Sequence, residues 1–133
     1  MTCSVPIDRP ARKSVLVVDD DEDMLAAIFG LLSPTYLVTL ASDGIDGFEK
    51  ASQSPTLDLI IADITMPRLD GIAMILRIRE TVAMRCVPII FLSGHIFPST
   101  IVARLGAGPF TYLAKTADPT VLMRRVHRAL GDA

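Results

Sequence analysis

The sequence predicts an α/β protein: a single domain built on a doubly wound, five-stranded parallel sheet, with five helices divided between its two faces. Three observations carry that expectation. Short runs rich in apolar residues recur along the chain, and the first, Val15-Leu16-Val17-Val18, is wholly apolar and β-branched, as suits a strand covered on both faces. Each run is followed by a stretch with apolar residues at helical spacing. Strand and helix alternate five times within 133 residues, a length that favours one domain. Crossovers in such folds are right-handed almost without exception.

Residues 1–13 hold two prolines with Arg9, Arg12 and Lys13 and show no periodicity, so a flexible lead-in is expected there. Val15-Leu16-Val17-Val18 is the first strand, and it runs into the acids Asp19 to Asp23. Met24, Leu25, Ile28, Leu31 and Leu32 then fall on one helical face, with acids at its positive end and Ser33-Pro34 to stop it. Tyr36 to Ala41 is the second strand. Ser42-Asp43-Gly44 leads into a weaker helical pattern with Ile45 and Phe48, closed by Gln53-Ser54-Pro55. Leu57 to Ala62 is the third strand and delivers Asp63. After Met66-Pro67 and Asp70-Gly71, a third helix buries Ile72, Ile75, Ile78 and Val82 and leaves Arg77, Arg79 and Glu80 mostly in solvent. Val87 to Leu92 is the fourth strand, with Pro88 at its start, where a missing donor matters least. Ser93-Gly94 ends it. A short fourth helix is expected around Ser99 to Leu105. Phe110 to Ala114 is the fifth strand and ends in Lys115. Asp118-Pro119 supplies an N-cap and a first-position proline for the last helix, whose apolar stripe is Leu122, Val126, Ala129 and Leu130.

Composition narrows the function classes. The net charge of −2 advertises neither nucleic acid nor an anionic membrane, and no direct nucleic-acid or membrane binding is expected. No apolar run approaches a membrane span, and the first residues lack the apolar core of a signal peptide. The two cysteines, Cys3 and Cys86, are too few and too far apart for a zinc site or a disulfide framework. Two free thiols in a reducing, cytoplasmic compartment are therefore expected.

The strand ends carry the chemistry. Asp19 and Asp20 follow strand one, Asp63 follows strand three, Ser93 strand four and Lys115 strand five. In open α/β sheets a site forms beyond the carboxyl ends of the strands, so these five side chains should converge. Each has an ordinary reading by itself: an acidic helix start, a turn aspartate, a loop serine, a surface lysine. Together they make a charge problem, because three close carboxylates repel one another and tend to hold protons. A hard cation relieves that repulsion. Mg2+, or Mn2+ in its place, suits one or two carboxylates with waters and phosphate oxygens. Asp63 is then a candidate nucleophile, since carboxylates form aspartyl-phosphate intermediates. Lys115 would supply a point charge and Ser93 a hydroxyl donor to the phosphoryl oxygens.

With these motifs in hand, the chain resembles the receiver domain of two-component response regulators, over residues 14–131. The matching residues are Val15-Leu16-Val17-Val18-Asp19-Asp20, Asp63 with Met66-Pro67 and Asp70-Gly71, Ser93-Gly94, and Tyr112-Leu113-Ala114-Lys115. The resemblance implies a flavodoxin-like fold with strand order 2-1-3-4-5. It implies phosphorylation of Asp63 by a sensor histidine kinase or phosphotransfer protein. Asp20 and Asp63 would hold Mg2+ through their side chains, Thr65 through its backbone carbonyl, and Asp19 through a metal-bound water. Ser93 would be the switch hydroxyl and Tyr112 the switch aromatic. Thr65 and His95 would flank the attacking water and tune the phosphoryl lifetime. Two departures stand out. Thr116 replaces the proline that the family joins to the lysine by a cis peptide, and a cis bond before Thr costs roughly 2.5–4 kcal/mol. Pro109 and Phe110 stand where small or polar residues are common.

The resemblance further implies output through the fourth helix, fifth strand and fifth helix, to a downstream protein or a homodimer partner. Phe97, Ile101, Val102 and Leu105 make that fourth helix apolar. The chain ends soon after the last helix, so either a single-domain regulator acting by protein contact or an excised receiver is expected. It is expected to be no enzyme beyond its own phosphorylation and dephosphorylation. The alternative is a pseudo-receiver, a phosphorylation-independent interaction module, which Thr116 favours and the retained acids, hydroxyl and lysine oppose. An aspartate-dependent phosphatase would want a second carboxylate where Thr65 stands. A flavin carrier would want a Gly-rich phosphate loop where the acids stand.

Overall fold

The three central runs form strands because neighbours cover both of their faces, while the two edge runs stay partly exposed. In the computed structural model, which describes residues 12–54, 56–64, 66, 70–81, 84–94, 110–115 and 118–131, all five pair in parallel. They are β1 (Ser14–Val18), β2 (Leu37–Ala41), β3 (Leu57–Asp63), β4 (Ile89–Ser93) and β5 (Phe110–Ala114). The sheet order is β2-β1-β3-β4-β5, the order the resemblance implies. Four helices are present among the described residues: α1 (Glu22–Leu32), α2 (Gly44–Ser52), α3 (Gly71–Ile78) and α4 (Pro119–Leu130). The α4 helix is the fifth of the sequence-based count. The helix expected around residues 99–105 lies outside the described residues, so four of the five expected helices are accounted for.

Side-chain alternation along the strands divides the interior in two. Leu16, Val18, Ile60, Ala62, Ile89 and Phe91 face α2 and α3, where Ala51, Ile72, Met74, Ile75 and Ile78 meet them. Val15, Val17, Leu59, Ile61, Ile90, Leu92 and Leu113 face α1 and α4, against Leu25, Ile28, Leu32, Leu122, Val126 and Leu130. Phe110 stacks edge-on against Phe91 at 6.3 Å between ring centroids, so an unusual residue for this position has a packing role.

The helix signals hold up as chemistry. Asp21, Asp43, Asp70 and Asp118 are the N-caps, each accepting hydrogen bonds from backbone N–H groups of the first turn. Gly131, at φ 73°, ends α4 in the left-handed conformation that glycine tolerates.

Several expectations need correction. Tyr36 is not in β2. It follows α1, its backbone N–H donates to Leu32, and its buried ring meets His127 edge-on at 6.2 Å. The fourth strand starts at Ile89 rather than Val87, because Pro88 precedes the ladder. The α3 helix ends at Ile78 with Arg79 as its C-cap, and Val82 lies outside the described residues. Arg79 is not a solvated residue: its side chain is drawn into the fold, where burial lowers its pKa.

Residues 1–11 lie outside the described residues, but the last two of the expected lead-in are tethered. Arg12 donates to the carbonyls of Ser33 and Thr35 beyond α1, and Lys13 to the carbonyl of Leu130 at the end of α4. Both cations sit where helix dipoles end negative. Cys86 is disulfide-bonded, so the two-free-thiol expectation does not hold, nor does the argument from it to a reducing compartment. Cys3, the other cysteine of the sequence, lies outside the described residues. No helix among the described residues is long and apolar enough to cross a membrane.

Candidate functional site

The carboxyl ends of β1, β3, β4 and β5 open on one edge of the sheet. Registers set the depth: Asp63 lies beside Leu92, and Ser93 beside Ala114. Backbone bonds extend the ladder past the strands, from Asp19 N–H to Ala41, from Ile64 N–H to Leu92 at 3.1 Å, and from Lys115 N–H to Ser93 at 2.9 Å. The reactive candidates are thus carried on rigid backbone.

The five acids after β1 divide by role. Asp21 caps α1, and Glu22 and Asp23 sit exposed in its first turn, which is the ordinary reading of an acidic run. Asp19 is 1 % exposed, and its Oδ1 accepts the N–H of Asp21 at 2.9 Å. Asp20 is exposed. Asp19, Asp20 and Asp63 each offer an oxygen, and these oxygens lie within 4.8 Å of one another. Asp63 is 4 % exposed.

Lys115 closes the cluster. Its Nζ donates to Asp63 Oδ2 at 2.9 Å and stands 3.3 Å from Asp19 Oδ2. Burial lowers the Lys115 pKa, but the Asp63 hydrogen bond and the two carboxylate charges outweigh it, and the net shift is upward. The ammonium stays charged. Burial pushes the Asp19 carboxyl upward; the neighbouring Asp63 charge adds to the rise, and the Asp21 N–H and Lys115 oppose it. Asp19 Oδ2 is buried and accepts no hydrogen bond, close as Lys115 is. A buried carboxylate oxygen lacking a donor, beside two more carboxylates, suits a hard divalent cation. The donor set is all oxygen, which suits Mg2+ or Mn2+.

Ser93 is 6 % exposed, at the end of β4. Strand alternation gives Ser93 and Tyr112 the sheet face of Phe91 and Phe110, while Asp19, Asp63 and Lys115 extend the rows on the α1–α4 side. Ser93 and Tyr112 thus fall on the sheet face opposite the rows of Asp19, Asp63 and Lys115. Thr65, His95 and Thr116 lie outside the described residues, as does the Lys115–Thr116 peptide bond. So do residues 95–109, with the apolar fourth-helix surface.

Two features escaped the sequence. An apolar cavity of about 450 Å³ lies between α1 and α4, lined by Met24, Ile28, Leu31, Leu113 and Leu122 and bordered by Lys115. Gly71, which the sequence shows only as the residue leading into the third helix, is packed against the backbone of Asp63. An Asp-Gly pair at the head of a helical pattern was its signal: Asp70 is the cap, and the glycine is the close approach.

A family model described as the response regulator receiver domain matches residues 15–127. The chain is 35% identical over 112 residues to hybrid signal transduction histidine kinase D of Dictyostelium discoideum, covering 84% of this chain and 7% of that protein. It is 28% identical over 128 residues to the two-component response regulator ORR11 of Oryza sativa, covering 96% of this chain and 87% of that protein. Among solved structures, the receiver domain of sensor histidine kinase PA1611 of Pseudomonas aeruginosa matches with a TM-score of 0.79 at 34% identity, covering 91% of this chain and 99% of that one. That domain has a magnesium ion coordinated in its active-site cleft. Chemotaxis protein CheY4 of Vibrio cholerae matches with a TM-score of 0.82 at 27% identity, covering 90% of this chain and 100% of that one.

Proposed function

This chain belongs to the response regulator receiver domain family of two-component signalling, and on that premise we propose that Asp63 accepts a phosphoryl group from a phosphohistidine of a sensor histidine kinase or phosphotransfer protein. The observation that carries the proposal is the arrangement of three carboxylates within 4.8 Å, with the Lys115 ammonium 2.9 Å from Asp63 Oδ2.

Asp19, Asp20 and Asp63 would hold Mg2+ or Mn2+, with the Thr65 carbonyl as a further ligand. A cation held there supplies positive charge to the oxygens of the incoming phosphoryl group. An Asp63 oxygen attacks phosphorus, the P–N bond breaks, and its electron pair stays on the departing imidazole nitrogen, which takes a proton from solvent. Asp19 and Asp20 keep the nucleophile's surroundings anionic and ready for the cation. Lys115 pairs with Asp63 beforehand, 2.9 Å from its Oδ2, and with a phosphoryl oxygen afterwards.

The product carries close to two negative charges and strong acceptors where one carboxylate stood. Ser93 donates its hydroxyl to a phosphoryl oxygen, and Tyr112, on the same sheet face, follows that movement. The surface of the predicted fourth helix, β5 and α4 then changes its affinity for a downstream protein or a second copy. Thr65 and His95 tune the lifetime of the acyl phosphate. No substrate is turned over beyond the domain's own phosphorylation and discharge, and a cytoplasmic location beside the kinase belongs to the same proposal.

The test is incubation with Mg2+ and a small phosphodonor, read by intact mass. A phosphate-sized gain that Asp63→Asn abolishes is expected. No gain, with no Mg2+ binding, would leave a phosphorylation-independent interaction module as the better account.

A further inference from the structure

We propose that Gly71 is a positioning residue for this reaction: by lacking a side chain it sets where the backbone holds the Asp63 carboxylate. The inference rests on the phosphoacceptor role proposed for Asp63. A Cβ on Gly71 would lie 2.1 Å from the carbonyl oxygen of Asp63, 3.0 Å from its carbonyl carbon and 3.1 Å from the Cα of Ile64. All three are backbone atoms, so none can rotate away as a side-chain tip would. The Gly71 N–H also donates to the Ile64 carbonyl at 2.9 Å.

Conformational freedom does not account for the glycine. Among the described residues the one glycine with positive φ is Gly131, so alanine could take the Gly71 backbone conformation. The constraint is the close approach alone. It falls on a segment clamped from both sides: Ile64 N–H is bound to Leu92 of β4 at 3.1 Å, and α3 holds the other flank. The start of α3 is itself fixed, by the Asp70 cap on Ala73 N–H at 2.8 Å and by Ile72 and Ile75 in the core. A methyl group at position 71 therefore has to move the Asp63–Ile64 peptide, by on the order of 1 Å, a misplacement that can cost about 100-fold in rate.

Gly71→Ala is the test, with Gly47→Ala as a packing control, where the nearest atoms to an added Cβ belong to the side chains of Met74 and Val18. Circular dichroism reads the fold, calorimetric titration the Mg2+ affinity, mass gain the labelling rate at saturating Mg2+, and amide NMR shifts the backbone at Asp63 and Ile64. The expected result is a folded Gly71→Ala protein with those two amides shifted, Mg2+ affinity weakened roughly tenfold or more, and labelling about 100-fold slower even at saturating Mg2+. Gly47→Ala should lose thermal stability with its Mg2+ affinity and labelling within about threefold of wild type, well inside the loss a misplaced nucleophile brings. Wild-type amide shifts, affinity and rate in Gly71→Ala would overturn the inference, as would equal losses in the two variants. If Gly71→Ala is unfolded in buffer, the measurements are made in trimethylamine oxide, which favours compact states. A chain that stays unfolded there makes Gly71 a folding residue and overturns the positioning role. Should the wild type take up no phosphoryl group, the phosphoacceptor role fails separately, and the amide shifts and Mg2+ affinity still decide whether Gly71 positions the segment.

Discussion

Gly47 and Gly71 both sit in helices on the same side of the sheet, and neither has room for a methyl group. They are tight against different things. A Cβ on Gly47 would meet the Met74 sulfur at 2.6 Å and the two methyls of Val18 at 2.9 and 3.0 Å, all side-chain atoms in the core. A Cβ on Gly71 would meet the carbonyl oxygen of Asp63. Crowding against side chains is absorbed by repacking and appears as lost stability. Crowding against the backbone of the proposed phosphoacceptor should appear as lost function. The two glycines would then separate packing that holds the fold from packing that places Asp63.

The sharpest way to stress the comparison is to attack Asp63 from its other side. Lys115→Ala removes the donor 2.9 Å from Asp63 Oδ2. The expected loss in labelling rate is about 100- to 1000-fold, the range for removing one preorganised donor. Gly71→Ala comes next, at about 100-fold; a rate near wild type would erase the distinction between the two glycines. Mg2+ at about 100 times its dissociation constant should stabilise the wild type by about 2.7 kcal/mol. Asp63→Asn should lose most of that gain in a denaturation series, whereas Gly47→Ala should keep it. Gly47→Ala itself should cost about 1–3 kcal/mol by overpacking, set against less than about 1 kcal/mol returned in helix propensity. Denaturation without Mg2+ measures it, and a neutral result would mean that Met74 yields freely.

The smallest effect belongs to Asp118, the exposed N-cap of α4, remote from both glycines in role. Hydrogen bonds from the Thr120 hydroxyl and backbone N–H lower its pKa. Its folded pKa lies below the unfolded value, so its contribution is present above the ordinary carboxylate pKa and fades as the pH falls through the lowered one. Asp118→Ala should lower the melting temperature slightly near neutral pH, and the difference from wild type should vanish in strong acid. Its labelling rate should match wild type.

The sheet was legible because short runs rich in apolar residues alternate with helical patterns, and the site because strand ends share one edge. Asp19, Asp63 and Lys115 could be named without coordinates for that reason. What escaped notice depended on distances between elements. The burial of Tyr36 beneath His127 needs the end of α1 and α4 to be neighbours. Arg12 and Lys13 look like a solvated tail until the ends of α1 and α4 lie beside β1. Arg79 sits at a helix position that reads as exposed, and only tertiary packing draws it in. Gly71 is the clearest case, since no periodicity in the sequence reports how near a helix start lies to a carbonyl before it.

Mapping the modified residue decides whether this backbone presents Asp63, and neither of the acids beside it, as the phosphoacceptor. The protein is treated with Mg2+ and a small phosphodonor, reduced with borohydride, which converts an aspartyl phosphate to homoserine, and mapped by peptide mass spectrometry. Homoserine at position 63 alone, and only when Mg2+ is present, is the predicted result. Homoserine at position 19 or 20, or at none, would contradict it.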